Sequence, residues 1–134
     1  MKFEIFNPTF IKGEDLKETL EKIFPEEENK FVNIVFVSES EIKRLNSEFR
    51  KKNELTDVLS FNLSDEISEI YVCPEYIKKN AQDFEDEIIR VIIHGILHIK
   101  GYNHEGYFDE ENINEEMFRV QERYVKKFYD ILEK

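Results

Sequence analysis

The sequence predicts an α+β domain: a small sheet of about four strands, mostly antiparallel or mixed, packed with helices. Short β-branched and aromatic runs lie near residues 1–7, 31–37, 58–62 and 67–73. Between and after them, apolar residues recur every three or four positions, the spacing of helices with one buried face. The two kinds of segment are too mixed for a sandwich or a helix bundle. At 134 residues, with 40% hydrophobic and 13% aromatic content, the chain is expected to form one domain over 1–134 with a real core.

In order, Phe3 and Ile5 alternate in a first strand. Gly13-Glu14-Asp15 opens a helix with Leu16, Leu20 and Ile23 on one face, halted by Pro25. Phe31 to Val37 is the strongest strand and is expected to be central in the sheet. Ser38 or Ser40 caps the next helix, Ser38 and Glu41 having the spacing of a capping box. That helix is expected to bury Ile42, Leu45 and Phe49. Val58–Asn62, a turn at Ser64-Asp65-Glu66 and Ile67–Cys73 read as a hairpin. Pro74 suits the first turn of a short helix ending near Ala81 or Gln82. From about Asp83 to Lys100 runs a helix apolar on most sides, with Ile88, Ile89, Ile92, Ile93, Ile96, Leu97 and Ile99, expected to be the buried central one. A last helix starts near Asp109, with Ile113, Met117, Val120, Tyr124 and Ile131 in its stripe.

A single cysteine, Cys73, permits no internal disulfide and agrees with a reducing compartment. Met1 to Ile5 lacks a signal-peptide core, and no stretch approaches membrane-spanning length. A soluble cytoplasmic protein is the expectation. The net charge of −11 argues against coating nucleic acid non-specifically, but its distribution is uneven. Lys43, Arg44, Arg50, Lys51 and Lys52 stand against one acid, Glu48, whereas Glu105 to Glu116 holds six acids and no base. Charges beyond about 8 Å are largely screened at physiological salt, so a local basic surface can still place a phosphate.

All three histidines lie in one stretch: His94, His98 and His104. Residues four apart on a helix share a face, so His94 and His98 can chelate one ion. His104 could not join on a continuing helix, which would carry it roughly 9 Å further along the axis. Gly101 lets the helix end and the chain fold back. Three imidazoles would leave an open position on a tetrahedral zinc ion, the pattern of a catalytic site with one metal per chain. An uncompensated dication lowers the pKa of bound water and polarises a phosphoryl or carbonyl oxygen. The spacing matches metzincin proteases, but Gly95 stands where they carry the glutamate base. The motif therefore favours a metal-dependent hydrolase over a peptidase.

His94-Gly95-Ile96-Leu97-His98-Ile99-Lys100-Gly101-Tyr102-Asn103-His104 also resembles the H-G-x-L-H-x-x-G-Y-D-H motif of the YbeY family, bacterial endoribonucleases and rRNA maturation factors. Asn46 to Arg50 followed by Leu55 to Phe61 resembles that family's N-x-x-[FY]-R … P-T-D-V-L-S-F, and Met117 with Gln121 gives a weaker echo. The chain departs from the pattern at Asn103, Leu55 and Ser68-Glu69-Ile70. If the family's aspartate supports the metal, Asn103 in its place weakens the site or alters its pKa.

The resemblance implies a zincin-like fold and a zinc-dependent endoribonuclease specific for single strands. Its implied roles are small-subunit rRNA 3′-end maturation and ribosome quality control, with ribosomal and ribosome-assembly proteins as partners. It carries the metal ligands onto His94, His98 and His104 and the catalytic arginine onto Arg50, whose planar fork suits phosphate. Thr56-Asp57 is expected to make a turn or cap a helix rather than serve the chemistry. The alternatives are a metallopeptidase-like hydrolase lacking its base and a zinc-stabilised ribosome-assembly binding protein.

Overall fold

The computed structural model describes residues 1–9, 11–103 and 115–133. Four strands alternate in burial as their sequences do: β1 (Lys2–Phe6), β2 (Phe31–Phe36), β3 (Val58–Asn62) and β4 (Ile67–Val72). Their order is β1-β2-β4-β3. β2 pairs in parallel with both β1 and β4, while β3 and β4 form the antiparallel hairpin at one edge. The sheet is therefore mixed, with β2 in its interior as expected.

Val32, Ile34, Phe36, Ile70 and Val72 point to one face of the sheet. There α4 (Phe84–Ile99) packs across β3 and β4, and α1 (Gly13–Ile23) and α5 (Glu116–Leu132) complete the layer. Nine residues of α4 are buried, among them Ile88, Ile92, Ile93, Ile96 and Leu97, and Asp83 caps its start through the Asp86 N–H. Short α3 (Pro74–Asn80) opens on Pro74, whose missing N–H costs nothing at a first turn. α5 buries Met117, Val120, Val125 and Phe128. The expected helix start near Asp109, with Ile113, lies outside the described residues.

The opposite face carries a smaller cluster of Ile42, Leu45, Leu59 and Cys73 under α2 (Glu39–Arg50). Ser38 caps α2 by accepting the Glu41 N–H at 3.2 Å. The capping box is only half made, because the Glu41 carboxylate turns to Arg44 instead. One expectation fails here. Phe49 is 59% exposed rather than buried with Ile42 and Leu45. Two turns beyond Ile42, the ring meets Phe61 of the edge strand β3, with centroids 5.4 Å apart, and the rest of it stays in solvent.

Candidate active site

The last turns of α4 present His94 and His98 on one face, both half-buried, their rings edge-to-face with centroids 4.5 Å apart. His94 Nδ1 lies 2.7 Å from Gln121 Oε1, and His98 Nδ1 lies 3.0 Å from the Tyr102 carbonyl. An amide or peptide oxygen only accepts, so each Nδ1–H donates and each Nε2 keeps its lone pair. Those two Nε2 atoms face one another at 3.0 Å. Two acceptors so placed cannot bond each other, but they suit a shared cation. Zinc–nitrogen bonds of about 2.0–2.1 Å in a tetrahedron set ligand nitrogens roughly 3.3 Å apart, so this pair fits a zinc ion. His104 lies outside the described residues. Among the described residues no three His, Cys, Asp or Glu side chains gather into a metal-holding group.

The chain's return after α4 is built by Gly101. Its φ of +101° belongs to the left-handed region, which glycine adopts at little cost. Gly101 N–H bonds the His98 carbonyl and Tyr102 N–H bonds the Leu97 carbonyl, each at 3.0 Å. This paired closure is a Schellman motif. It aims the Tyr102 carbonyl back at the His98 ring, so the helix stop also orients that ring.

Gln121 is held in turn. It is 1% exposed on α5, and its amide N–H donates to Glu122 Oε2 at 3.0 Å, which fixes which end of the amide faces His94. Glu122 takes both Nε and Nη2 of Arg90, at 2.9 and 3.0 Å. Burial works against the Arg90 charge, but bonds to Glu122 and Asp86 outweigh it and hold the group more firmly protonated. A continuous line thus runs from Arg90 through Glu122 and Gln121 to His94.

Both histidines open onto a cleft of about 570 Å³ beside strand β3. Arg50, Asn46, Asp57 and Ser60 line it too, so Arg50 and the histidine pair share one cleft. Arg50 Nη2 donates to the Ser60 carbonyl at 3.1 Å, and its guanidinium sits 5.5 Å from the Phe61 ring centre. Asn46, 3% exposed, donates to the Glu54 carbonyl at 3.0 Å and ties the segment entering β3 to α2. The Asp57 carbonyl accepts the Cys73 N–H at 2.9 Å, one step beyond the Val58–Val72 pair of the β3–β4 ladder. Asp57 also lines the cleft, and burial pushes its carboxyl pKa up. Gly95 is the close-contact point of α4 with the sheet. A Cβ there would lie 3.0 Å from Ser60 Oγ and 3.2 Å from Ile70 Cγ2.

The sequence pattern of the endoribonuclease YbeY family matches residues 7–129. The chain belongs to the YbeY family. An endoribonuclease YbeY from Thermotoga maritima is 46% identical, covering 87% of this chain and 80% of that protein. One from Phytoplasma australiense is 38% identical over 95% of both. A solution structure of a Thermotoga maritima protein superimposes with a TM-score of 0.70 at 42% identity, covering 98% of this chain and 91% of the other. The four-stranded α+β architecture is thus similar to that structure.

Against this YbeY frame, the motif residues acquire separate tasks. Asn46 secures the cleft's floor and Gly101 turns the chain, while Asn103 lines the cleft. Gln121 is the supporting residue whose role the sequence left unassigned. Its signal was a polar residue four positions after Met117 in an otherwise apolar stripe.

Proposed function

We propose that this YbeY-family chain is a zinc-dependent endoribonuclease cutting single-stranded RNA in small-subunit rRNA 3′-end maturation and ribosome quality control. One observation carries the reading. Two imidazole lone pairs converge at 3.0 Å in a cleft that Arg50 also lines. The relatives' name, endoribonuclease, supplies the substrate class, and His104 is the proposed third ligand. Ribosomal and ribosome-assembly proteins remain the proposed partners. No helix among the described residues is long and apolar enough to cross a membrane.

His94, His98 and His104 would hold the ion. When bound, zinc supplies a Lewis-acid charge for a phosphoryl oxygen and makes water more acidic. The chain's own residues do the rest. Arg50 grips non-bridging phosphate oxygens and stabilises the charge that builds on them as the phosphodiester is attacked. The Tyr102 carbonyl and Gln121 keep both rings in the lone-pair-forward tautomer. Asp57, which also lines the cleft, is the proposed acceptor of the attacking group's proton. A peptidase is disfavoured because Ser60 and Ile70 occupy the space into which a glutamate at position 95 would start.

The test compares zinc-loaded, chelated and His98→Ala protein on single-stranded RNA, duplex RNA and casein. Zinc-dependent cleavage of the single strand alone is expected, with about one zinc per chain lost in His98→Ala. Undiminished zinc binding by His98→Ala, or cleavage of casein only, would overturn the proposal.

A further inference from the structure

Three aromatic rings form a line on the face of β3 opposite the histidines. Phe49 and Phe61 have centroids 5.4 Å apart and tilted by 58°, and Tyr71 meets Phe61 edge-on at 6.0 Å. Phe61 and Tyr71 are half-buried against the small cluster, whereas Phe49 is 59% exposed. Arg50 covers Phe61 and reaches round the sheet edge to the Ser60 carbonyl, so one residue borders both the aromatic line and the cleft.

The charge beside this line is selective. Glu41 and Glu48 neutralise Arg44 at 2.6 and 2.5 Å. Lys43, Lys51 and Lys52 are exposed and form no ion pair among the described residues. In a chain of net charge −11, Phe49 is thus followed directly by three cations, Arg50, Lys51 and Lys52, while at the far end of the aromatic line Glu69, the cross-strand partner of Phe61, accepts from the Tyr71 hydroxyl. Lone exposed aromatics need no explanation. An open ring backed by a second ring and flanked by a guanidinium and lysines has the make-up of a base-stacking platform with a phosphate track.

We infer that Phe49, backed by Phe61, is a stacking shelf for one nucleobase of the RNA substrate, adjoining the phosphate held by Arg50. The inference rests on the endoribonuclease reading and gives its single-strand preference a physical source. A base paired in a duplex has both faces stacked and cannot lie on Phe49; an unpaired base can. Stacking requires a ring but no particular base, so the shelf selects for strandedness and hardly for sequence.

The experiment is a double-mutant cycle on kcat/KM. Wild type, Phe49→Leu and Phe49→Tyr act on a single-stranded RNA and on copies carrying one abasic residue at successive positions around the cut. In wild type, one abasic position should lower kcat/KM roughly ten-fold, the scale of one stacked base. Phe49→Leu should lose a similar factor on intact RNA and little more on that abasic copy, while Phe49→Tyr should behave as wild type. Melting temperatures should agree, since the side chain is largely in water. Intact-RNA kinetics unchanged in Phe49→Leu, or two losses that simply add, would overturn the shelf while leaving the nuclease reading standing. A wild type that cuts no RNA would overturn that reading and the shelf with it.

Discussion

Gln121 Oε1 stands 2.7 Å from His94 Nδ1, joining α5 to the last turns of α4. This bond decides which His94 nitrogen faces the cleft, and the Arg90–Glu122 pair decides which end of Gln121 makes the bond. Gln121→Leu leaves the His94 N–H without its acceptor at a similar side-chain volume. Zinc affinity should fall about 10- to 100-fold. Stability should drop by about 1–3 kcal/mol from the unsatisfied buried group. Competition with a chromogenic chelator and thermal melting check the two effects separately; unchanged zinc affinity would mean the bond does not orient the ligand.

Arg50 is expected to act on phosphate rather than on folding. Arg50→Ala should lower RNA cleavage by about two to three decades, or about 2–4 kcal/mol of transition-state stabilisation. Arg50→Lys should recover only part, because lysine cannot reproduce two parallel hydrogen bonds. Loss of the exposed bond to Ser60 should cost no more than about 1 kcal/mol of stability. Full single-strand cleavage by Arg50→Ala, with zinc content measured alongside, would remove Arg50 from the site.

Gly95 holds a helix against a sheet. Gly95→Ala gains about 1 kcal/mol of helix propensity but meets Ser60 Oγ and Ile70, an overpacking cost of about 1–3 kcal/mol. The net should be a loss of up to about 2 kcal/mol. Gly95→Glu should melt well below Gly95→Ala and should not become a good peptidase. Such a glutamate has first to lever α4 away from Ser60 of β3 and Ile70 of β4. Chemical denaturation and a casein assay decide between these outcomes.

Asp57 gives a pH signature. Burial raises its pKa, so the native state binds its proton more tightly than the unfolded chain does. Its contribution is most favourable below the ordinary aspartate value of about 3.9 and is lost as pH rises through the folded value. Asn is neutral throughout and keeps an oxygen for the backbone N–H groups that Asp57 and Val58 offer. Relative to wild type, Asp57→Asn should therefore grow more stable as pH rises from acid toward neutral. Denaturation free energies at matched pH values test this, and a difference independent of pH would contradict it. RNA cleavage by the same variant should fall if the carboxyl accepts a proton there.

Features set by neighbours in sequence were legible before folding. Strand and helix periods located the elements, Ser38 marked a cap, and four-residue spacing put His94 and His98 on one face. Gly101 announced the chain reversal because only a residue without Cβ takes that φ cheaply. Packing between distant segments decided the rest. The sheet order puts β4 between β2 and β3, so the hairpin's first strand becomes the edge along which the cleft opens. Phe49 fits the apolar period of α2 yet meets only the edge strand's Phe61 among the described rings and stays 59% exposed. Gln121, 27 residues from His94, reads in sequence as one polar interruption of a stripe. Only the crossing of α5 over α4 makes it the acceptor for His94, because local periodicity fixes which way a side chain points and tertiary packing fixes what it meets.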